Sequence, residues 1–346
     1  MVKRAVLLIN LGSPDAPTTP AVRRYLREFL LDPRVIDIPA LARALLVYLL
    51  ILPFRSSRSA EAYRKIWQVG GSPLVIAGRE LQVKLQKQLG DSYEVSLGMR
   101  YGEPSLARVV RKLGQRSWEE IIVVPLFPQY ASASTGSAME VVLQEMAKEN
   151  MIPAMRVLPD YYADPGFIAS FVSVAQRELA TYPADFVLFS YHGLPERQIR
   201  RTDRAGTHCL ASENCCDRIT EANRFCYRAQ CFATTRALVA GLKLSPDRYS
   251  TSFQSRLGRT PWIKPYTDEV LATLRQRGVK RLAIMCPAFV ADCLETLEEI
   301  GMRAAEDWHK LGGEDLRLIP SLNSDDTWCE TIARWVREPL AINAAQ

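Results

Sequence analysis

Short apolar runs alternate with amphipathic stretches along most of the chain. Ala5–Asn10 has the pattern of a buried strand, and a Gly-Ser-Pro-Asp turn separates it from an amphipathic segment near Pro20–Leu30. Further strands are predicted at Glu94–Met99, Ile121–Leu126, Phe186–Tyr191, Leu282–Cys286 and Leu316–Ile319. Further helices are predicted from Ser105 and at Thr135–Lys148, Phe167–Leu179, Thr267–Arg277, Cys293–Leu311 and Asp325–Val336. Such alternation is typical of α/β folds with parallel sheets.

The length of the chain favours two domains, because 346 residues are too many for one compact core. We predict two similar Rossmann-like α/β domains, residues 1–160 and 161–324. A closing helix over 325–340 is expected to pack on the first of them. Ligands of open α/β sheets bind beyond the carboxyl ends of the strands. The residues that directly follow each strand are therefore the first candidates for a site.

The longest apolar run, Ala44–Phe54, lies between Arg43 and Arg55. It is too short to cross a bilayer, since a spanning helix needs about 20 apolar residues. One interpretation is a core helix that ends at Pro53. The other is an apolar lip over residues 40–54 that makes peripheral contact with a membrane, with arginines at its edge to meet anionic groups.

Charge and cysteine usage narrow the class of protein. The formal net charge is +6, and the arginines near 23–27 and near 197–204 belong to separate segments. Scattered charge of this kind argues against nucleic-acid binding and leaves an anionic small substrate or an acidic lipid surface. The N-terminus lacks the pattern of a signal peptide, so we expect a cytoplasmic protein, with the inner membrane face as a second possibility. Eight cysteines in a cytosolic chain do not indicate a disulfide scaffold.

Two segments after predicted strands carry candidate chemistry. His192 directly follows Phe186–Tyr191, and histidine can accept and release protons near neutral pH. After the strand that ends at Cys286, the residues Asp292, Glu295 and Glu299 are spaced three and four apart. That spacing places them on one helical face. The pattern fits a solvated acidic face or, alternatively, a path for a divalent cation or protons.

Five segments match, in the same order, the motifs of a known family. They are Leu8–Pro14, Val124–Tyr130, Phe189–Pro195, Phe253–Gly258 with the following Trp262, and Asp292–Glu299. The chain resembles the ferrochelatases over nearly its whole length. The resemblance implies a lyase that inserts Fe²⁺ into protoporphyrin IX, the terminal step of heme biosynthesis, in a porphyrin cleft between two α/β domains.

The resemblance also implies roles for individual residues. His192 would take protons from the pyrrole nitrogens of a distorted porphyrin, Glu295 would lie opposite, and Asp292 and Glu299 would extend an acidic path for iron. The substrate-binding residues it implies are Leu11, Arg55, Tyr63, Ser72, Arg100, Tyr101 and Trp262. Some members carry histidine where this chain has Cys293, so metal-binding roles proposed for that histidine do not transfer.

The cysteines Cys209, Cys215, Cys216, Cys226 and Cys231 crowd one short segment. A [2Fe–2S] cluster takes four cysteine thiolates, and zinc with four cysteines is the main alternative. Adjacent Cys215 and Cys216 favour the cluster, because structural zinc sites prefer pairs spaced by two to four residues. Other bacterial ferrochelatases resemble this chain in having such an insertion, here residues 205–231. We assign Cys209, Cys215, Cys216 and Cys226 as ligands and Cys231 as the reserve.

Other functions remain open from the sequence. A chelatase for coproporphyrin or for another metal would use the same residues. A non-catalytic iron–sulfur sensor or carrier on a chelatase scaffold would need neither His192 nor Glu295. A nucleotide-dependent oxidoreductase is excluded, because Gly12-Ser13-Pro14 lacks the G-x-G-x-x-G cradle.

Overall fold

A computed structural model describes residues 4–256, 258 and 260–338. Within these residues the chain forms two compact units. The first comprises residues 4–127, 131–159 and 323–338, and the second comprises 128–130 and the described part of 160–322. The chain thus leaves the first unit to build the second and returns to the first.

The first unit contains a four-stranded parallel sheet in the order β2-β1-β3-β4. Its strands are β1 (Arg4–Ser13), β2 (Tyr93–Gly102), β3 (Glu120–Pro125) and β4 (Ala154–Val157). Its helices are α1 (Thr19–Leu30), α2 (Ala40–Leu45), α3 (Leu52–Ile66), α4 (Pro73–Leu89), α5 (Leu106–Gly114), α6 (Ser137–Met146) and α12 (Asp326–Arg337). Residues 5–9 of β1 have no exposed surface, because helices cover both faces of a parallel sheet.

The second unit repeats this topology. Its parallel sheet has the order β6-β5-β7-β8. The strands are β5 (Phe186–His192), β6 (Tyr249–Gln254), β7 (Arg281–Met285) and β8 (Asp315–Leu318). The helices are α7 (Pro165–Thr181), α8 (Glu196–Arg200), α9 (Tyr227–Leu242), α10 (Thr267–Gln276) and α11 (Ala305–Lys310). The prediction of an α/β fold with two parallel sheets is confirmed.

Local sequence explains several element boundaries. Asp164 caps α7 by accepting hydrogen bonds from the backbone N–H groups of Gly166 and Phe167, and Pro165 occupies the first turn, where no N–H is needed. Asp325 caps α12 by accepting one from the N–H of Thr327. These caps supply acceptors for donors that a helix start leaves unpaired.

The topology places the ends of β5 and β7 side by side. In each sheet the first strand of the unit, β1 or β5, has its next two strands in sequence on opposite sides. The direction of strand addition reverses there, and open α/β sheets bind ligands at such a switch point. In the second unit β5 ends at His192, and β7 leads through Cys286 into the acidic segment. The fold therefore brings His192 and the acidic residues to one edge of a single sheet.

The helical stretch Ala40–Ile66 differs from the sequence prediction. A π-helical segment, Leu46–Ile51, joins α2 to α3, and the helix continues past Pro53. It presents large exposed side chains, called the apolar face below: Leu41, Leu45, Tyr48, Leu49, Leu50 and Phe54. Leu41 is 75% and Phe54 73% exposed, so the interpretation as a core helix ending at Pro53 is wrong.

Among the described residues, Ala40–Ile66 is the one helix that could cross a membrane on length and composition. Only 17% of its most apolar window is buried. The apolar run Ala44–Phe54 is too short to span a bilayer, but the helix that contains it extends over 27 residues. An exposed apolar surface of this size calls for a partner.

Candidate active site

His192 closes β5 and has a defined tautomer. Its Nδ1 lies 2.6 Å from the carbonyl oxygen of Gly193, and a carbonyl can only accept a hydrogen bond. Nδ1 therefore carries the proton, and Nε2 keeps a lone pair. The Tyr227 hydroxyl donates to the His192 carbonyl over 2.9 Å and fixes the backbone there. The side chain is half-buried, so the ring can accept a proton at Nε2.

The loop after His192 is closely packed. The Gly193 N–H donates to the carbonyl of Gln254 over 2.8 Å. A β-carbon at Gly193 would lie 2.8 Å from that oxygen and 3.2 Å from the Trp262 ring. Only glycine fits this approach, and Trp262 is thereby placed beside the histidine loop.

The acidic segment forms a π-helix rather than the α-helix that the spacing predicted. Glu295–Ala304 is π-helical and continues into α11. Wide turns of this type are rare and often occur at functional sites. The predicted extent, Cys293–Leu311, is close to what is observed, but the helix type could not be read from residue spacing.

Glu299 points towards the end of β6. Its Oε1 accepts from the Ser255 N–H over 2.8 Å, and its Oε2 accepts from the Ser255 hydroxyl over 2.6 Å. Burial raises the pKa of Glu299 above its usual value, although the Ser255 hydrogen bonds and the charge of His192 act against that rise. The imidazole and this carboxyl therefore influence each other within the second unit.

The neighbouring acidic residues have different surroundings. Asp292 Oδ1 accepts from the Ser321 N–H at 3.2 Å and from the Thr296 hydroxyl at 3.1 Å. Glu298 is buried and pairs with Arg303 at 2.9 Å. Glu295 is half-buried and receives a hydrogen bond from the Cys293 thiol, whose pKa is raised by burial and then by Glu295. The segment is thus not a uniform solvated face.

The first unit holds a second polar cluster. Asp32 is buried, and its Oδ2 accepts from Arg100 Nη2 at 2.6 Å, from the Tyr101 hydroxyl at 2.8 Å and from the Ser137 hydroxyl at 2.5 Å. These hydrogen bonds outweigh burial and lower the pKa of Asp32. The cluster fixes Arg100 and Tyr101, two of the predicted substrate-binding residues.

The remaining predicted binding residues lie on different elements of the first unit. Leu11 is half-buried in β1, and Arg55 is exposed on α3. Tyr63, on the same helix, is buried with its ring 6.4 Å from that of Tyr25. Ser72 is buried at the position that precedes α4. Their roles remain predictions.

The cysteine-rich segment brings four thiols together. Cys209, Cys215, Cys216 and Cys226 are all buried free thiols. The Sγ atoms of Cys215 and Cys216 are 3.6 Å apart, and Cys226 contacts both Cys209 and Cys216. The Arg228 guanidinium donates to Cys216 Sγ over 3.1 Å.

These thiols form a row of contacts rather than a shared coordination sphere. In the part of the chain that the structure describes, no group of three or more His, Cys, Asp or Glu side chains is placed to hold a metal ion. The hydrogen bond to Cys209 raises the pKa of Cys226 to about 12. Cys231 is also buried, on α9, and burial raises its pKa. Rotation of the cysteine side chains would be needed before they could ligate a metal together.

Protein hydrogen bonds order the segment around the thiols. The Asp203 carboxylate accepts from the backbone N–H groups of His208 and Cys209 at 2.7 and 2.8 Å. Asn223 Nδ2 donates to the carbonyl of Cys215 over 2.8 Å. His208 Nε2 lies 3.2 Å from the same carbonyl, which supports discounting it as a ligand.

Comparison with known proteins decides the family. The family model described as Ferrochelatase matches residues 3–340. A ferrochelatase from a strain of Coxiella burnetii is 47% identical over 340 residues, which cover 98% of this chain and 95% of the relative. One from Legionella pneumophila (strain Lens) is 48% identical over 339 residues, which cover 97% of this chain and 99% of the relative.

The chain belongs to the ferrochelatase family.

Solved structures agree with this fold. SirB from Bacillus subtilis with Fe³⁺ superposes with a TM-score of 0.53 at 12% identity and covers 97% of this ferrochelatase and 95% of that chain. The sirohydrochlorin chelatase SirB from Bacillus subtilis subspecies spizizenii, in complex with cobalt, gives a TM-score of 0.51 at 11% identity with the same coverage. Such low identity shows a shared chelatase-type fold alone.

Two residues of this ferrochelatase were given no role from the sequence. Ser255 lies inside a recognised motif, but its contact with Glu299 spans 44 positions. Asp32 contacts Arg100 across 68 positions. The signal that existed at Ser255 was its place in the motif Phe253–Gly258, whereas Asp32 lies outside every recognised motif and carried none.

Proposed function

We propose that this ferrochelatase inserts Fe²⁺ into protoporphyrin IX to give protoheme, the terminal step of heme biosynthesis. The observation that carries the proposal is the placement, at one sheet edge, of His192, whose Nδ1 faces the Gly193 carbonyl, and of the half-buried carboxyl of Glu299, whose pKa the charge of His192 lowers. The family membership supplies the substrate class. The Nε2 atom of His192 supplies the proton acceptor that the reaction requires.

The proposed division of labour follows from charge balance. Two pyrrole N–H protons leave the porphyrin as one Fe²⁺ enters. His192 accepts one proton at Nε2, releases it to solvent and then accepts the second, and its charge interacts with the nearby carboxyl of Glu299. Glu295 and Asp292 supply carboxylate oxygen atoms that can contact the incoming divalent cation. Coproporphyrin or another divalent metal remains an alternative substrate.

The test follows porphyrin emission. With Fe²⁺ under anaerobic conditions, or with Zn²⁺, free-porphyrin fluorescence should fall as metal enters. His192→Ala should lose turnover by about 100-fold or more, the range for a general base, while it retains porphyrin binding measured by fluorescence quenching. His309→Ala, on the exposed surface of α11, is the matched control. Metallation by His192→Ala at the control rate would refute the mechanism.

We also propose that Cys209, Cys215, Cys216 and Cys226 hold a [2Fe–2S] cluster. Four buried sulfurs that contact one another in a row are a suitable donor set, and the cationic Arg228 beside Cys216 offsets the negative charge that thiolate ligands bring. Hydrogen bonds to Asp203 and from Asn223 order the backbone that carries these cysteines. When bound, the cluster would link four points of the segment covalently.

The cluster proposal has a readout independent of activity. Anaerobically purified protein should be brown, with visible absorbance and iron and acid-labile sulfide in equal amounts. Cys215→Ser should lose the colour, whereas Cys329→Ser, at a buried cysteine of the first unit, should keep it. A colourless protein that contains zinc would favour the four-cysteine zinc site instead.

We propose finally that the apolar face rests on the cytoplasmic surface of a membrane. Six large apolar side chains are exposed along one helix. Arg55 is exposed next to Phe54, whereas Arg43 donates to the carbonyls of Ile36 and Ile38. Apolar side chains on a helix surface bind the boundary between headgroups and acyl chains, and arginines meet anionic lipid. A membrane location also suits a substrate and product as apolar as porphyrins.

A further inference from the structure

Gln254 occupies the position in the second sheet that contacts both catalytic candidates. It is the last residue of β6 and is 3% exposed. In the register of the sheet it lies beside His192, the last residue of β5. Its carbonyl accepts the hydrogen bond from the Gly193 N–H. The backbone of Gln254 therefore holds the turn that directs the imidazole.

The side chain of Gln254 reaches the acidic helix. Its Nε2 donates to the main-chain carbonyl of Glu295 over 2.8 Å, and its Oε1 accepts from the Ser190 hydroxyl over 2.7 Å. The amide orientation is fixed, because the Glu295 carbonyl can only accept. Glu295 begins the π-helix. The hydrogen bond from Gln254 fixes the backbone of Glu295 and therefore the position from which its side chain extends.

A buried row of hydroxyls supports this amide. Ser190 lies 3.0 Å from the Thr267 hydroxyl, which lies 2.9 Å from that of Ser252. Ser190, Ser252, Gln254 and His192 share one face of the sheet, since side chains alternate along each strand and pair in register between strands. Hydrogen bonds in such a row polarise one another. The row ends at the Glu295 carbonyl.

We propose that Gln254 is a positioning residue for metal insertion, which sets the placement of Glu295 relative to His192. The proposal rests on the proposed ferrochelatase activity. Gln254 acts through the backbone of Glu295 and not by contact with the reacting atoms. Its loss should therefore lower the rate of the chemical step and leave porphyrin affinity intact.

The matched variants lie on the two sides of the second sheet, Gln254 on β6, Thr267 on α10 and Thr235 on α9. Gln254→Met keeps the length of the side chain and removes both polar groups. Thr267→Val removes one hydroxyl from the row. Thr235→Val is the control, because the Thr235 hydroxyl lies 2.9 Å from that of Tyr191 and 3.1 Å from that of Thr251. Thr235 is buried like Thr267 and lies beside β5 and β6, but on the face of the sheet away from Glu295.

Steady-state kinetics separate positioning from a general loss of structure. We expect Gln254→Met to lower kcat about 10- to 100-fold, the cost of a small misplacement of a reacting group, with an unchanged KM for porphyrin. Thr267→Val should move kcat in the same direction by less, and Thr235→Val should keep the wild-type kcat per folded molecule. A wild-type kcat for Gln254→Met, or equal losses in Gln254→Met and Thr235→Val, would overturn the proposal.

Hydrogen exchange tests the same link without turnover. Amides of residues 292–304 should exchange faster in Gln254→Met than in wild type and should be unchanged in Thr235→Val. Unaltered exchange in Gln254→Met would refute the proposal whether or not the enzyme is active. Failure of the wild-type protein to metallate porphyrin would instead refute the proposed function, and the exchange result would then decide the role of Gln254 alone.

Discussion

At the residue scale, opposing influences act on the pKa of the half-buried carboxyl of Glu299. Burial disfavours its charged form, whereas the Ser255 N–H and hydroxyl and the charge of His192 favour it. The net effect is a raised pKa. Raised pKa values of this kind occur often, though not exclusively, at catalytic sites.

Replacement of Glu299 by glutamine should change how stability depends on pH. A raised pKa means that the folded state binds more protons than the unfolded state between the usual value of 4.5 and the folded value. Unfolding free energy therefore falls as pH rises through that window. Glu299→Gln removes this fall, so its stability relative to wild type should increase with pH, by about 1.4 kcal/mol for each unit of pKa difference.

Urea denaturation at a series of pH values measures this difference. Glu306→Gln, at an exposed carboxylate of α11, is the control and should track wild type. A stability difference for Glu299→Gln that stays constant with pH would show that the folded carboxyl titrates like an unfolded one.

Sequence pattern identified some of these residues and missed others for a physical reason. His192 and the acidic run could be found because each directly follows an apolar strand, and position along the chain then specifies position in the fold. Ser255, Gln254 and Asp32 act through contacts with residues far away in sequence. The hydrophobic pattern of a short stretch of sequence does not show which distant residue a side chain will contact.

At the element scale, edge strands were the hardest to predict. β4 and β6 were both missed, and both lie at the edge of their sheet. β6 reads Tyr-Ser-Thr-Ser-Phe-Gln, so hydroxyl side chains replace the apolar run that marks a central strand. The π-helical segments were missed as well, since α- and π-helices present similar sequence patterns.

Charge placed in the apolar face of the helix Ala40–Ile66 should weaken membrane binding. Leu49→Glu with Leu50→Glu places charge in the apolar face, where the side chains are 62% and 59% exposed. Burial of one leucine contributes about 1.5–3 kcal/mol, so the double variant should bind vesicles of acidic phospholipid at least about tenfold more weakly. Co-sedimentation with the vesicles measures the change.

The control is a variant that adds a charge to the surface of the first unit outside the apolar face. Val83→Glu, on α4 with Val83 69% exposed, should bind vesicles like wild type. Circular dichroism should show that all variants keep their helices. Equal binding by wild type and the double variant would remove the apolar face from any role at the membrane.

At the scale of the whole molecule, the first unit depends on residues from both ends of the described chain. Helix α12 buries Trp328 and Trp335. Arg156 donates to the carbonyls of Trp335 and Val336 at 2.9 and 2.6 Å, and Arg337 Nη2 donates to the carbonyl of Gln88 at 2.7 Å. The two similar α/β folds could be predicted from alternation of patterns. These long-range contacts could not.

Truncation tests this dependence. A chain that stops at Asp325 loses both tryptophans, and the loss of one large aromatic from a core already costs about 3–5 kcal/mol against a total stability of about 5–15 kcal/mol. We expect insoluble protein or loss of cooperative thermal unfolding. A chain that stops at Glu338 is the comparison and should unfold cooperatively, because it keeps Trp328, Trp335 and Arg337. Cooperative unfolding of the shorter chain, at an unchanged temperature, would contradict this account.

The return of α12 to the first unit has a consequence for biosynthesis. The ribosome must translate residues 160–322, which build the second unit, before α12 exists. At about 5–20 residues per second this interval lasts roughly 8 to 33 s. During it the nascent first half exposes the surface that Trp328 and Trp335 later cover, while the second half already has nearly all of its own residues. The part of the polypeptide made first is therefore the last to be finished, and nascent-chain chaperones have their longest opportunity to bind there.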